Sequence, residues 1–289
     1  HQVRFIRNGV STGPAAARNQ GVAASQGEII LCFDADVSVH PDTVGRLAAR
    51  FASDPALDAV IGSYDDQPSD PGFLSRYRNL LHAWVHQNAS KTASTFWGAC
   101  GAIRREAFLS VGGFSAAYAR PSIEDIELGC RLINAGRKLA LDRKARICHH
   151  KSWRFWQMVK TDIFDRAIPW TRLILSERRM PNDLNLRRSQ RLNAVLAMLV
   201  LLMAPAAPFG WDYFAAWLAI VGAYLTRNWR FYSYLASNQG PVFALRAIPV
   251  HWLYFLYSCA AFAIGMACHL MAVFGSQRAG KAGEQRAGG

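Results

Sequence analysis

An α/β domain followed by an apolar helical region is the fold class that this sequence predicts. Three observations predict it. Short apolar runs alternate with helix-patterned segments through the first 150 or so residues, which is βαβ patterning. One of those runs, Glu28-Ile29-Ile30-Leu31-Cys32-Phe33, stops abruptly at Asp34-Ala35-Asp36. Beyond residue 192 the chain turns almost wholly apolar, whereas nearly all acidic residues precede position 184.

The run 29–33 reads as a strand buried on both faces, as in a parallel sheet. Asp34 and Asp36 then lie at its C-terminal end, where open α/β sheets place their ligands. Two readings stay open for the pair. Carboxylates at i and i+2 on an extended chain point the same way and repel unless a cation lies between them. A divalent metal holding a diphosphate is one use; a solvated turn capping the next helix is the other.

The 289 residues suffice for one or two domains. The chain opens on His1 and on a strand-like run at 3–6, so the expectation is an N-terminus cut, or processed, inside a domain. Residues 14–24 predict a short helix with Pro14 in its first turn. Pro41 predicts another, with Val44, Leu47, Ala48 and Phe51 at helical spacing, and 59–61 a strand. Helices follow over 73–87, 106–110 and 124–133, with strands over 94–103, 138–141 and 145–148. This first domain is expected to end near 152.

From Trp153 to Ser176, aromatic and basic residues mix at helical spacing. That suits a helix lying in a membrane interface, with docking onto the globular domain as the alternative. Arg178, Arg179, Arg187, Arg188 and Arg191 form a basic shoulder closing the 153–191 segment. Apolar stretches at 192–209, 211–226 and 247–274 predict two or three membrane spans over 192–274, the first two as a hairpin. The arginines beside them place the globular domain on the cytoplasmic side of an inner membrane. Residues 275–289 are Gly- and Ala-rich and predict a disordered tail.

The net charge of +13 fits those membrane borders. No helix-turn-helix and no zinc-ligand spacing appears, so nucleic acid is not an expected partner. The six cysteines are scattered without a Cys-x-x-Cys pair, which suggests free thiols and not a disulfide scaffold or a zinc site.

Four elements come in a fixed order: Arg18-Asn19 on the first helix, Asp34-x-Asp36, Trp97-Gly98 through Gly112-Gly113-Phe114, and Glu124-Asp125 opening a helix. In this order and spacing the chain resembles the family 2 glycosyltransferases of the GT-A fold, over residues 3 to about 150. The resemblance implies transfer of a sugar from a nucleotide-diphosphate donor, with inversion, assisted by Mg²⁺ or Mn²⁺. It implies metal binding by Asp36 with Asp34, and a base role for Asp125. Arg18, Asp34, Trp97, Gly98 and Glu124 would line the donor site, although Glu124 also suits a plain helix start.

His149, His150 and Lys151 follow the last strand. His150 is the expected third metal ligand, because it lies further beyond the strand, and Lys151 a phosphate clamp. A surface His-His pair is the alternative. Many relatives in the family carry Gln-x-x-Arg-Trp after this point. Here Gln157 is followed by Met158, Val159 and Lys160, which speaks against a processive polysaccharide synthase. Arg166 and Arg172 are candidates for holding the phosphate of a lipid-linked acceptor, or simply anionic headgroups of membrane lipids. The functions in play are therefore a lipid-directed glycosyltransferase, a cell-surface polysaccharide transferase, and a non-catalytic membrane scaffold. The intact carboxylates argue against the scaffold.

Overall fold

A computed structural model describes residues 3–178, 180 and 183–287. Arg179 of the expected basic shoulder lies outside them. The chain divides into two compact units, His1–Arg154 with Asp183–Asn185, and Phe155–Asn182 with Leu186–Gly289.

The first unit is built on a five-stranded sheet. Its elements are α1 (Gly13–Ala23), β1 (Ile29–Phe33), β2 (Val37–Val39), α2 (Thr43–Ser53), β3 (Ala59–Tyr64), α3 (Phe73–Asn88), β4 (Cys100–Arg104), α4 (Arg105–Ser110), α5 (Glu124–Asn134) and β5 (Leu139–His149). The sheet order is β1-β4-β3-β5-β2. Only β3 and β5 run parallel; the β1–β4, β4–β3 and β5–β2 pairs are antiparallel.

The central strand β3 is buried at every position. Its side chains alternate between faces, so Ala59 and Ile61 enter one core and Val60 the other. The first core gathers Ala15 and Val22 of α1 with Leu128 and Leu132 of α5. The second gathers Leu47 and Phe51 of α2 with Val60, Ala102 and Ile147.

Several expectations are corrected here. The sheet is mixed, not parallel. β1 is an edge strand of the described sheet, and Leu31 is 40% exposed, so the strand is not buried on both faces. Ile30 and Cys32 still face the core, which explains the apolar run. Residues 3–6 form no strand; Val3 and Phe5 are 91% and 83% exposed, with no pairing partner among the described residues. The segments 138–141 and 145–148 are one continuous strand. The 94–103 stretch is a loop through Ala99, and only Cys100–Arg104 joins the sheet.

The second unit is helical. α6 (Phe155–Lys160), a π-helical turn at Thr161–Ala167 and α7 (Ile168–Ser176) run on without a break. Trp156 and Phe164 are exposed there, while Met158, Thr171 and Ile174 are buried. α8 (Arg188–Met203), α9 (Trp211–Gln239) and α10 (Pro241–Ala287) follow. α8 stops ahead of Pro205; its 16 residues make about 24 Å of helix, short of a bilayer core. α9 carries Arg227 and Arg230 in its interior.

Among the described residues one helix is long and apolar enough to cross a membrane, Pro241–Phe274, whose most apolar window has a mean hydropathy of 1.7. The expected hairpin of spans over 192–226 and the multi-pass arrangement are therefore not supported. α10 continues through the stretch 275–287, where a disordered tail was expected.

Candidate active site

The site grows from the C-terminal end of β1. The β1–β4 register pairs Phe33 with Cys100, so the loop Trp97-Gly98-Ala99 enters beside the turn Asp34-Ala35-Asp36. On α1, Arg18, Asn19 and Val22 share the face that begins at Ala15, three, four and seven residues on. Ala15 and Val22 anchor that face in the core, which aims Arg18 at the strand end.

Arg18 spans two carboxylates. One terminal nitrogen donates to Asp34 Oδ1 at 2.6 Å and the other to Glu124 Oε1 at 2.9 Å. The guanidinium also lies 5.3 Å over the Phe114 ring. Burial works against its charge, but Asp34 and Glu124 outweigh that and raise its pKa. Glu124 is buried, and its second oxygen accepts the Ser122 N–H at 2.9 Å. It therefore holds Arg18 and the turn before α5.

Gly98 explains why this loop comes so close. A Cβ at Gly98 would stand 2.9 Å from Arg18 Cζ, so only glycine leaves room for the guanidinium. The freed backbone N–H donates to Asp125 Oδ2 at 3.0 Å, and Asp125 Oδ1 accepts the Ile126 N–H at 2.8 Å. Burial pushes the Asp125 carboxyl up to about 6, with Glu124 adding to the shift and the Gly98 N–H and Arg18 opposing it. A helix start alone would have kept it lower; desolvation wins.

The Gly-Gly-Phe loop is held from α1 and α5. Asn19 Nδ2 donates to Phe114 O at 2.8 Å, and Phe114 N donates to Asn19 Oδ1 at 2.9 Å. Arg131 pairs with Glu127 and donates to the carbonyls of Val111 and Gly113. Gly113 sits at φ +69°, the left-handed region that suits glycine.

Asp36 lies on the other side of the turn and is 48% exposed. The partner imidazole near it belongs to His149, with Nε2 3.4 Å from Asp36 Oδ2. His150, the residue expected from sequence, turns its Nε2 to Ser38 Oγ at 2.6 Å, and only its backbone N–H reaches Asp36 O. The physical reason is the reach of β5. The strand runs through His149, which pairs with Val37, the residue next to Asp36. Sequence reasoning missed this because β2 has only three residues.

Asp34, Asp36 and His150 are not gathered around one point. Among the described residues no group of three His, Cys, Asp or Glu side chains stands ready for a metal. Asp34 is engaged by Arg18. Lys151 Nζ sits 4.6 Å over the Trp153 ring. Arg166 lies in the second unit, 3.9 Å from the buried Asp162, which also accepts the Tyr257 hydroxyl at 2.7 Å. Arg172 is exposed on α7.

Residues 1–112 match the family model described as glycosyl transferase family 2. The chain is 30% identical over 154 residues to the pre-mycofactocin glycosyltransferase of Mycobacterium tuberculosis, covering 51% of this chain and 32% of that one. It is 28% identical over 145 residues to an N-acetylglucosaminyltransferase of Sinorhizobium fredii, covering 46% and 35%. The chain thus spans about a third of the length of these relatives. Among solved structures, the mannosyltransferase PcManGT from Pyrobaculum calidifontis, in complex with GDP-Man and Mn²⁺, is similar at 19% identity. That match has a TM-score of 0.42 and covers 89% of this chain and 66% of the other. GalNAc-T7 with UDP, GalNAc and Mn²⁺ is similar at 16% identity with a TM-score of 0.41, covering 59% and 36%. Over residues 1–112 the chain is thus similar to glycosyl transferase family 2 domains.

Proposed function

We propose that the protein transfers a sugar, with inversion, from a nucleotide-diphosphate donor to a lipid-linked acceptor at the cytoplasmic face of a membrane. The observation that carries this reading is Asp125. Its carboxyl is held by the Gly98 N–H and pushed by burial to about 6, beside the Arg18–Asp34 pair at a strand end. A base with a pKa just under neutral is ionised at pH 7 yet still basic enough to take a hydroxyl proton as the bond to the sugar forms. If the acceptor is a phosphate, Asp125 instead orients a group that is already anionic.

The donor diphosphate carries charge that must be met as it leaves. Arg18 and the open Asp36–His149 pair support a donor seat at this strand end. Asp36 and His149 offer one carboxylate and one imidazole from different elements, a donor set that suits Mn²⁺ better than the harder Mg²⁺. Bound there, the cation would neutralise charge on the departing diphosphate. Trp97 and Gly98, in the loop beside this strand end, are the residues proposed to border that seat.

Membrane attachment is supported by α10. Only 17% of its most apolar window is buried within the protein, so it is no core helix. A partner surface of lipid suits it, and Arg166 and Arg172 on the preceding helices suit acidic headgroups or an acceptor phosphate. A cell-surface polysaccharide as acceptor would use the same chemistry.

The test is nucleoside diphosphate release by the purified full chain. The donor panel includes UDP-N-acetylglucosamine, a choice prompted by the names of two relatives. Polyprenyl phosphates, lipid-linked sugars and soluble glycans are offered as acceptors. Metal-dependent release with lipid phosphates or lipid-linked sugars alone is the expected result. Transfer to soluble glycans alone overturns the lipid reading.

A further inference from the structure

Tyr64 ends β3 with its ring against four others. It is stacked on His82 at 5.2 Å and lies 4.8 Å from Trp97, 5.4 Å from His149 and 5.7 Å from His86. His86 of α3 also meets Trp97 edge-on, with ring centroids 4.7 Å apart at 83°. The line of contacts runs from Asp36 through His149, Tyr64 and Trp97 to Gly98 and Asp125. It joins the two ends of the site.

One ring nitrogen of His86, Nδ1, is buried and unpaired, and the residue is 6% exposed. Such an orphan costs desolvation without return, so an apolar ring would be the better core residue by packing alone. Burial lowers its pKa to about 4, so it is uncharged across the working range. It contributes shape and ring-edge contact. Offset and edge-to-face ring pairs fix orientation as well as area.

We propose that His86 is a positioning residue for the transfer reaction. By packing on both Tyr64 and Trp97, it sets where the Trp97-Gly98 backbone stands, and so where the Gly98 N–H holds Asp125. This rests on the reading of Asp125 as base, but its test has an arm that does not. A displacement of about 1 Å in a positioning group costs as much as a hundredfold in rate.

The experiment compares His86→Leu and His86→Phe with wild type, as full chains in the same detergent. Hydrogen–deuterium exchange is read at Gly98 and at the α5 start, and turnover is read against pH. His86→Leu removes the ring. Exchange at Gly98 is expected to speed by about tenfold. kcat is expected to fall about tenfold, and donor KM to rise with it, because Trp97 and Gly98 also border the proposed donor seat. The acid limb should move to higher pH, since a looser Gly98 N–H no longer steadies the Asp125 carboxylate. His86→Phe keeps the ring and drops the orphan nitrogen, so it should restore most of the protection and most of the rate.

Unchanged exchange and kcat in a folded His86→Leu chain would overturn the assignment. So would a His86→Phe chain as impaired as His86→Leu, because the effect would then belong to the imidazole nitrogens. Loss of protection throughout β3 and β4 in both variants would mark a plain core residue and overturn it too. A wild-type chain that turns over no nucleotide sugar would sink the transferase reading instead, while the exchange arm still decides on His86.

Discussion

The Gly98 amide donates to Asp125 Oδ2 across 3.0 Å, and this bond ties the loop before β4 to the first turn of α5. It links a residue whose lack of a side chain admits Arg18 to the carboxylate with the raised pKa. The two halves of the site therefore depend on one another, and substitutions on either side should be felt on both.

Asp125 sets the first expectation. Its folded pKa of about 6 lies above the ordinary 3.8. Between those values the folded chain holds a proton that the unfolded chain has lost. This group's contribution to stability is therefore fully present below the lower value and is lost as pH rises through the upper one. If Asp125 is the base, catalysis runs the other way, because the base must be ionised. kcat should thus fall below about pH 6 with a single-proton limb, while the Asp125 contribution favours folding there. Asp125→Asn should lose about 10²-fold or more in kcat with a hydroxyl acceptor and less with a phosphate. Its melting temperature at pH 7.5 should be no lower than wild type. Single-turnover transfer and calorimetry on the same preparations check both halves; a variant that transfers at the wild-type rate removes Asp125 as base.

Gly98→Ala places a methyl group 2.9 Å from Arg18 Cζ. The guanidinium cannot simply swing aside, because Asp34 and Glu124 hold it at both ends. Overpacking of this kind costs about 1–3 kcal/mol. If Arg18 faces the proposed donor seat, donor affinity should fall together with stability. Isothermal titration with the donor and a denaturant melt measure the two; wild-type affinity would show that Arg18 does not take part in binding.

Asn19 carries a structural expectation. Its side chain both accepts from and donates to the Phe114 backbone. Asn19→Ala leaves two backbone groups of the Gly-Gly-Phe loop without those partners. The cost should be about 1–3 kcal/mol by denaturant unfolding. Asn19→Asp keeps the acceptor for Phe114 N–H and should lose less near neutral pH than the alanine variant. Equal losses would mean that the loop does not depend on this pairing.

These residues also show how far the amino-acid sequence reveals the site. Arg18, Gly98, Glu124 and Asp125 do come together, because their order follows local elements that are readable singly: a Pro-started helix, an apolar strand and an acidic helix start. What sequence hid was pairing. Val37–Val39 is too short to announce itself, yet its register with β5 brings His149, not His150, to Asp36. The same applies to β1, whose apolar run reads as a central strand but lies at the edge, where Leu31 is open. The apolar half misled through composition. Hydropathy averages do not see that α8 ends at Met203 before the two prolines, or that α9 carries arginines in mid-helix.

His149→Ala tests the metal seat from the side that sequence missed. If Asp36 and His149 share a cation, removing the imidazole should raise the Mn²⁺ concentration for half-maximal turnover by about 10-fold or more. Asp36→Ala should lose turnover more severely. His150→Ala should leave the metal titration near wild type, because its ring is turned to Ser38. The order His149 above His150 is the discriminating result; the reverse order returns the ligand role to His150.

The last expectation concerns α10. Ile264 and Met271 are exposed to the surroundings, at 46% and 65%, on the helix long enough to cross a bilayer. A charged residue near the middle of a membrane helix costs about 2.5–3.5 kcal/mol. Ile264→Lys with Met271→Lys should therefore move the chain out of the carbonate-resistant membrane fraction. Helix content by circular dichroism should hold, because both positions face outward. A double variant that stays in the membrane pellet would mean that α10 is not the anchor, and that attachment rests on the exposed aromatic and basic residues of α6 and α7, such as Trp156 and Arg172.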